Sequence, residues 1–500
     1  MRKWICLLLL LALTVGALAS CGSSAPDADT DTQTQAAPET SQSGQESETG
    51  EEGDASVVLD DLEDQDFDRY VFTVLYSNRG LMVVSEIEDV TGDLIEDTIY
   101  ECTQAVKERF NIEYERILAG GDTEMADRVQ NSVLSAGTVD EFSMTIGHDF
   151  LTVQNAMRGC YADLTEVEAF GGFSKPWWPE NNLKSISVAG RLYVASSYLT
   201  YSPLSASSCI VFNKKMVQDL GLDSPYEIVY SKQWTMEAMT EYAQEGYKDL
   251  DGDGEINTDN GEIYGFSMGR ESGYIFQRSA DVEPILKDQD DLPYFALDVA
   301  RADEFLTNLD TLLEYGKFFL GDNNSHNVAF GANASMMIYS SLGNVYKTIR
   351  NYQNVKYGFL PVPMLNDEQE DYIAGSTDML WGIPQTSSNH MKEISTVIEA
   401  LSCQCYNYVL PAFYESTMQT KLADSPDDVR VLDIIRDTTA LSFAYFYSRA
   451  LGGTQICMAD LPRQTTVGEL ASYVSANRKA LEENLAHLIE QYEELQNLFG

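Results

Sequence analysis

The amino-acid sequence predicts an α/β protein built from two lobes. From Tyr70 onward, short apolar runs rich in β-branched and aromatic residues alternate with amphipathic helical stretches, which is typical of layered α/β folds. The chain from Arg69 to its last residue holds about 430 residues. That length exceeds what one hydrophobic core usually organises, so it favours two lobes over one.

The alternation is clearest between residues 70 and 147. We expect strands at Tyr70–Tyr76, Asn111–Leu118 and Glu141–Gly147, with helices at Asp93–Phe110 and Glu124–Gly137 between them. The first run, YVFTVLY, is apolar on both faces, as in a buried parallel sheet. The helix that follows carries its apolar residues three or four apart, and it therefore has one face to bury.

The pattern returns in the second half of the chain. We expect strands and the start of a helix within Arg191–Leu222, and strands at Ala334–Ser340 and Tyr357–Pro363. Helices are predicted at Gln233–Leu250, with Thr235 as N-cap, and at His390–Leu410, ended by Pro411. A C-terminal helix carries an apolar stripe formed by Leu470, Val474, Leu481, Leu485, Leu488, Tyr492 and Leu495. Packing of this stripe on its own lobe is favoured over a partner-binding coil.

The N-terminus has the composition of a secreted lipoprotein. Residues 1–20 combine a short basic start with an apolar stretch, and they end in Leu-Ala-Ser before Cys21, so they resemble a signal peptide with a lipidation motif. Lipidation of Cys21 is the expected outcome, and cleavage of an ordinary signal nearby is the alternative. Residues 21–68 contain no Lys or Arg after Cys21 but 15 Asp and Glu. This composition predicts a disordered acidic tether.

The charge and the metal-binding residue types exclude several functions. The chain has 32 Lys and Arg against 79 Asp and Glu, a formal net charge of −47, so it has no basic face for nucleic acid. Its four histidines are far apart and show no zinc-binding spacing. The cysteines do not follow the pattern of a small disulfide-stapled domain, and buried thiols are favoured over disulfides.

Residues 249–260, DLDGDGEINTDN, resemble a calcium loop. Aspartates at positions 1, 3 and 5 can converge on one hard cation, and a glycine at position 6 permits the turn. The last position lacks the bidentate Glu of a calcium sensor, so a structural Ca²⁺ is favoured, and a solvated acidic turn is the alternative. The expected ligands are Asp249, Asp251, Asp253, Glu255, Asn257 and Asn260.

An ordered set of segments resembles one protein family. The lipidation motif is followed by TGDLIEDTIYECTQAVKERFNIEYE, KPWWPENNLKSISVAGRLYVA, DLDGDGEINTDNGEIYGF and YGFLPVPM. Together with neighbouring segments they cover most of residues 93–437. In this order they resemble the family-1, maltose-binding-like solute-binding lipoproteins of bacterial ABC importers. The chain departs from the usual pattern at Cys102 and in KLADSPDDVRVLDII.

The resemblance implies a periplasmic-binding-protein fold with two lobes, a cleft between them and crossing hinge strands. Lobe 1 would hold residues 69–198 and 381–424, and lobe 2 residues 199–380 and 425–500. The implied function is capture of a solute, with a carbohydrate favoured, for an ABC permease. The protein would be a lipid-anchored monomer on the outer face of the cell membrane and would not be an enzyme. A sensory or adhesive lipoprotein of the same fold is the alternative, and a surface glycosidase is less favoured.

The solute would contact loops at the carboxyl ends of strands, because clefts form there in α/β sheets. Polar groups suit sugar hydroxyls and aromatic rings suit the C–H faces of sugar rings. For several of these residues a local hydrogen bond or packing in the core is the alternative. The predicted binding residues are Asn78, Arg79, His148, Asp149, Trp178, Tyr201, Tyr339, Ser340 and Trp381.

Overall fold

The computed structural model describes residues 57–77, 87–138, 141–200, 202–254, 256–269, 272–319, 321, 324–452 and 468–499. The signal peptide, the lipidation site and residues 22–56 of the tether lie outside this range. The same holds for four of the predicted site residues, Asn78, Arg79, Tyr201 and Glu255.

The strands follow the chain in this order: β1 Tyr70–Ser77, β2 Ile112–Ala119, β3 Met144–His148, β4 Ser208–Asn213, β5 Tyr264–Gly269, β6 Ile285–Lys287, β7 Pro293–Phe295, β8 Gly316–Phe319, β9 Ser335–Ser341, β10 Tyr357–Leu360, β11 Ala374–Gly375, β12 Met379–Gly382 and β13 Thr439–Ala440. The predicted strands near residues 70, 112, 144, 335 and 357 are confirmed. Residues 191–200 form only isolated bridges, so the strand expected there is wrong.

The α-helices are α1 Leu94–Phe110, α2 Asp122–Leu134, α3 Asp149–Met157, α4 Glu180–Ile186, α5 Ser202–Ser205, α6 Lys214–Asp219, α7 Pro225–Tyr230, α8 Met236–Gly246, α9 Ser272–Ser279, α10 Val299–Leu313, α11 Ser325–Gly331, α12 Leu342–Lys347, α13 Met391–Gln404, α14 Pro426–Asp437, α15 Phe443–Phe446 and α16 Leu470–Phe499. None of the described helices is long and apolar enough to cross a membrane.

The first sheet has the strand order β12-β3-β1-β2. Strands β2 and β3 pair in parallel with β1, and β12 pairs antiparallel with β3. Asp93, the residue before α1, caps this helix by accepting hydrogen bonds from the backbone N–H groups of Ile95 and Glu96 at 3.0 and 3.4 Å. The buried side of α1 then packs on α13, so the predicted amphipathic face is used as expected.

The second sheet has the strand order β10-β4-β9-β5-β8. Its strands β9, β5 and β8 are parallel, whereas β4 and β10 run antiparallel to their neighbours. Helix α8, capped by Thr235 as predicted, packs across β5. The contact is close enough that a Cβ at Gly265 would overlap the carbonyl of Ala243, so only glycine permits this approach.

Two chain segments connect the parts of the chain that form the two sheets. The first contains Ala195, and the second contains β11 and leads into β12. In the first, Ala195 exchanges two backbone hydrogen bonds of 2.9 and 3.0 Å with Trp381 of β12. In the second, β11 pairs with β13 just before the chain enters β12. The two segments are therefore joined to each other, as hinge strands would be. The exact lobe boundaries given above stay a prediction.

The helix beginning with α13 does not end where the sequence predicts. Helical turns continue through Pro411 to Leu422, as two π-helical segments, Cys405–Val409 and Ala412–Leu422. Proline breaks an α-helix because it lacks an N–H and its ring clashes with the carbonyl four residues earlier. A π-helical turn shifts the hydrogen-bond partner, so the ring is accommodated here.

Two terminal segments pack on the body. The predicted tether over residues 21–68 is wrong in its last part, because residues 57–68 contact the first sheet's helices. There Asp60, only 6% exposed, pairs with Arg109 at 2.8 Å, and Phe67 stacks on the end of α1. The basic partner offsets the repulsion among the acidic residues. At the other terminus, the apolar stripe of α16 is buried against β7, α10 and α3. Burial of the stripe is as expected, but α3 falls within residues 69–198 of the predicted lobe 1, so packing of α16 on its own lobe stays a prediction.

Candidate functional site

A cavity of about 300 Å³ lies where both sheets and the connecting segments meet. The last residues of β3, β5 and β9 line it, together with the first residues of α3 and α9. Carboxyl ends of strands followed by helix N-termini are the usual place for a ligand in α/β folds. The lining side chains that matter most are His148, Asp149, Tyr274, His326, Asn327, Tyr339, Ser340, Asn344, Asp378 and Tyr445.

His148 and Asp149 enter the cavity at the junction of β3 and α3. The Asp149 carboxylate is 2% exposed, accepts a 2.7 Å hydrogen bond from the Phe150 N–H, and contacts Nδ1 of His148. The helix N-terminus favours a negative charge at this position. The sequence predicted both residues at the site, and they line the cavity. Their contact with a solute stays a prediction.

Asp378 is a buried carboxylate that the sequence analysis missed. It precedes β12, and its two oxygens accept hydrogen bonds from the hydroxyls of Ser196 and Ser202. Burial raises the pKa of Asp378 to about 7, although the two hydroxyls act against this shift, and the negative charge of Asp149 raises it further. Asp378 therefore connects the two hinge segments and is a second buried carboxyl group of the cavity besides Asp149.

Tyr339 and Ser340 come from the end of β9, as predicted, and line the cavity. The Tyr339 side chain is 6% exposed, and its hydroxyl makes no hydrogen bond of ordinary geometry with the described residues. Burial raises its pKa well above the usual value, while the nearby Ser208 hydroxyl lowers it. Buried hydroxyls without a partner are rare in folded proteins, because they lose their bonds to water.

Two further tyrosines were not predicted. Tyr274 of α9 and Tyr445 of α15 stack at 4.4 Å between ring centroids, with their planes 12° apart. They lie more than 170 residues apart in sequence, so no local pattern could have paired them. Phe150 of α3 packs edge-on against Tyr445 at 6.1 Å. Rings from three distant helices therefore meet beside the cavity.

The amide groups in the cavity are held in fixed orientations. The Asn344 amide nitrogen donates 2.9 Å hydrogen bonds to the Asn327 side-chain oxygen and to the Ser340 hydroxyl. The backbone N–H of Asn344 in turn donates to the hydroxyl of Ser341, which caps α12. Such preorganised polar groups can bind a polar solute without first losing rotamer freedom.

The structure places Trp178 and Trp381 in the core and not at the cavity. Their rings lie 5.9 Å apart and pack against Phe170 and Phe173, forming a buried cluster that we call the tryptophan cluster. The Trp381 indole N–H donates to the Ser197 hydroxyl at 3.0 Å. These large apolar rings gain more by mutual burial than by lining a cleft, so we exclude both from the proposed site.

The acidic loop brings its three aspartates together. One carboxylate oxygen from each of Asp249, Asp251 and Asp253 lies within 4.8 Å of the others. The backbone hydrogen bond from Asp253 lowers the pKa of Asp251, but desolvation and the neighbouring carboxylates raise it overall. The chemistry of this trio suits a hard cation.

Asn257, another predicted calcium ligand, makes hydrogen bonds within the loop. The Asn257 side-chain oxygen accepts from the Asp259 N–H at 3.2 Å, and it caps the short 3-10 helix Thr258–Asn260. The buried Glu262 accepts from the N–H groups of Leu250 and Asn257 at 3.1 and 2.6 Å. Glu262 thus closes the loop through the backbone, which is a role that the sequence pattern does not reveal.

Comparison with known proteins identifies the fold. No family model matches this chain, and no curated protein matches it. Among solved structures, the GacH receptor of Streptomyces glaucescens, solved unliganded and with acarbose, has a TM-score of 0.53 and 12% identity over 83% of this chain and 99% of its own. The maltose/maltodextrin-binding domain MalE of Bdellovibrio bacteriovorus, bound to maltotriose, has a TM-score of 0.50 and 12% identity, covering 85% and 100% of the two chains.

A third match is an ABC transporter solute-binding protein of Agrobacterium radiobacter K84 in complex with ribitol. Its TM-score is 0.51, with 13% identity over 85% of this chain and 99% of the other. All three proteins are matched over nearly their full length. The chain therefore has the two-lobed periplasmic-binding-protein fold, and the fold prediction is confirmed.

Proposed function

We propose that this protein captures a small carbohydrate or polyol and delivers it to an ABC importer. The observation that carries the proposal is the cavity at the strand ends, which is lined by Tyr339, a residue whose buried hydroxyl makes no hydrogen bond of ordinary geometry with the described residues. A solute hydroxyl would supply that missing bond. The neighbours of this fold bind acarbose, ribitol and maltotriose, and they support the same class of solute here.

The size and lining of the cavity limit the class of solute that we expect it to bind. Ligand pockets span roughly 300–1,000 Å³, so a volume of about 300 Å³ favours one or two sugar rings over a long chain. Asparagine and serine groups provide donors and acceptors for hydroxyls, and the stacked Tyr274 and Tyr445 offer an aromatic surface. No covalent chemistry is needed for capture, and we expect no turnover of the solute.

Binding would be coupled to motion at the hinge. The cavity receives residues from both sheets and from the connecting segment that holds Asp378. A solute that contacts both sides more fully in a closed form would shift the equilibrium toward that form. In our proposal the closed form is what a permease recognises. We further propose that Cys21 carries the lipid anchor, and that the protein acts as a monomer on the outer face of the cell membrane.

A thermal-shift screen of the full chain, purified in detergent, tests this function. The screen would contain monosaccharides, disaccharides and polyols. A true solute at about 100 times its Kd should raise the free energy of unfolding by roughly 2.7 kcal/mol. A screen in which no sugar or polyol stabilises the protein would contradict the proposal, and so would the release of a product from any of them.

We also propose a structural Ca²⁺ held by Asp249, Asp251 and Asp253. A cation would relieve the repulsion between these carboxylates and stabilise the loop between α8 and β5. Calcium should raise the melting temperature of the full chain, and the variant Asp251→Asn should reduce that rise. Equal melting curves with Ca²⁺ and with chelator would exclude the metal.

A further inference from the structure

We propose that the solute carries a protonated amine, so that an amino sugar or an amine-bearing polyol fits the cavity better than its neutral counterpart. This inference rests on the proposed function and names the class of solute within it. Its basis is the charge of the cavity together with the way in which its carboxylates are already hydrogen-bonded.

The described part of the cavity lining holds two carboxyl groups, and its basic side chains are the imidazoles of His148 and His326. Among the described residues that line it, Asp149 and Asp378 are acidic, and none is a lysine or arginine. Arg449 is the basic group nearest in the chain to Tyr445; it stacks over the Phe150 ring at 4.4 Å, is exposed, and is not part of the lining. Buried carboxylates are costly unless a positive charge compensates them.

When Asp378 is ionised, it lacks positive charge and not hydrogen bonds. Each of its oxygens already accepts a serine hydroxyl, from Ser196 or Ser202. A hydroxyl from a neutral sugar would add another dipole to a group that already has two. An ammonium group would add the full counter-charge, and its attraction is stronger in a buried site than in water.

Asp149 is a second carboxylate in the same cavity. It is 2% exposed, lines the same cavity, and its charge raises the pKa of Asp378, so the two carboxylates are close enough to repel each other. The His148 imidazole contacts Asp149. One ammonium group placed between the two carboxylates would reduce their repulsion.

The rings of the cavity are compatible with a cation. Tyr274 and Tyr445 line the cavity, where aromatic rings can contact either the C–H face of a sugar or an ammonium group. Aromatic faces attract cations through their quadrupole. Tyr274 and Tyr445 are thus compatible with both the C–H face and the ammonium group of an amino sugar.

Isothermal titration calorimetry on the full chain tests the inference with matched solutes. The pairs are glucosamine and glucose, galactosamine and galactose, and mannosamine and mannose, each with the N-acetylated sugar as an uncharged third member. We expect at least one amine to bind about tenfold or more tightly than both of its uncharged counterparts, which is the scale of a charge-assisted bond. The preference should fall as salt is added.

Three variants test whether the preference for the amine depends on the carboxylates of the cavity. Asp149→Asn and Asp378→Asn should each bring the amine and its neutral counterpart to similar affinities, and the first variant carries the test if the second does not fold. Glu283→Gln is the matched control, because Glu283 is another largely buried carboxylate whose pKa burial raises to about 7, but it does not line the cavity. Its replacement should leave the preference unchanged.

The other outcomes are distinguishable. Neutral sugars that bind as tightly as the amines would overturn this inference and leave solute capture intact. N-acetylated sugars that match the amines would overturn it as well, because shape and not charge would then explain the preference. If no sugar, amine or polyol binds at all, both this inference and the proposed function fail.

Discussion

The cavity tyrosines and the tryptophan cluster use aromatic rings in opposite ways. Tyr339 and Tyr445 are 6 and 8% exposed, and Trp178 and Trp381 are 3 and 0% exposed, so burial alone does not separate the two groups. Each group also contains a buried polar atom without a partner in the described structure, the Tyr339 hydroxyl and the Trp178 indole N–H. Of these two residues, Tyr339 lines the cavity and Trp178 does not.

The difference shows what makes an aromatic residue a binding residue. In the tryptophan cluster, rings at 5.1 to 5.9 Å from one another occupy the space that a ligand would need. In the cavity, the stacked tyrosines border an open volume of about 300 Å³. The first arrangement stabilises the hinge side of β12, and the second can recognise a solute. The following predictions test this division, from the largest effect to the smallest.

Trp381→Ala should destabilise the protein by about 3–5 kcal/mol, because it leaves a cavity within the tryptophan cluster and removes the hydrogen bond to Ser197. Chemical denaturation of the full chain measures the loss. Trp381→Phe, which refills most of the space, should cost clearly less. A stable Trp381→Ala protein that no longer binds solute would instead place this residue in the site.

The free energy of unfolding should fall as the pH rises from about 4 toward 7. The folded-state pKa of Asp378 is raised to about 7 from an ordinary 3.8, so the native state holds a proton that the unfolded state has released. The contribution of Asp378 to the free energy of unfolding is therefore complete below its ordinary pKa of 3.8. This contribution, about a few kcal/mol, is lost as the pH rises through the raised pKa of about 7.

Asp378→Asn should flatten this pH dependence, whereas Trp381→Phe should leave it unchanged, because the tryptophan cluster contributes no titrating group. Denaturation curves at pH 5 and pH 8 measure the effect. If the free energy of unfolding depends on pH equally in the wild type and in Asp378→Asn, other buried carboxylates, such as Glu283 and Glu399, account for the pH dependence.

Tyr274→Ala should weaken solute binding about tenfold, because the stacked pair loses one ring and its contact with the solute. The side chain is only partly buried, so the loss of stability should be smaller than for Trp381→Ala. Calorimetry with the solute found by the screen gives the affinity. Unchanged affinity would mean that the stack supports the fold and does not contact the solute.

Tyr339→Phe should show the smallest effect on stability and a distinct effect on binding. The hydroxyl has no partner within the described structure, so its removal should leave the free energy of unfolding unchanged or slightly raised. Affinity should fall by about threefold to tenfold, which is the value of one neutral hydrogen bond. A clear loss of stability would show that this hydroxyl has a structural partner, and it would remove the main support for the site.

The sequence by itself determined the fold class and several of the elements. A run that is apolar on both faces placed β1, apolar spacing of three to four residues placed α1 and the stripe of α16, and Thr235 placed the start of α8. Position relative to a strand end also placed His148, Asp149, Tyr339 and Ser340 at one cavity, because carboxyl ends of strands meet at one edge.

Tertiary structure alone decided the rest. The helical path through Pro411 depends on π-helical turns, and the packing of residues 57–68 depends on Arg109, far away in sequence. Tyr274, Asp378 and Tyr445 meet only because distant segments converge. No local pattern distinguishes a ring that fills the core from one that borders a cavity, because that difference lies in the space left by other parts of the chain.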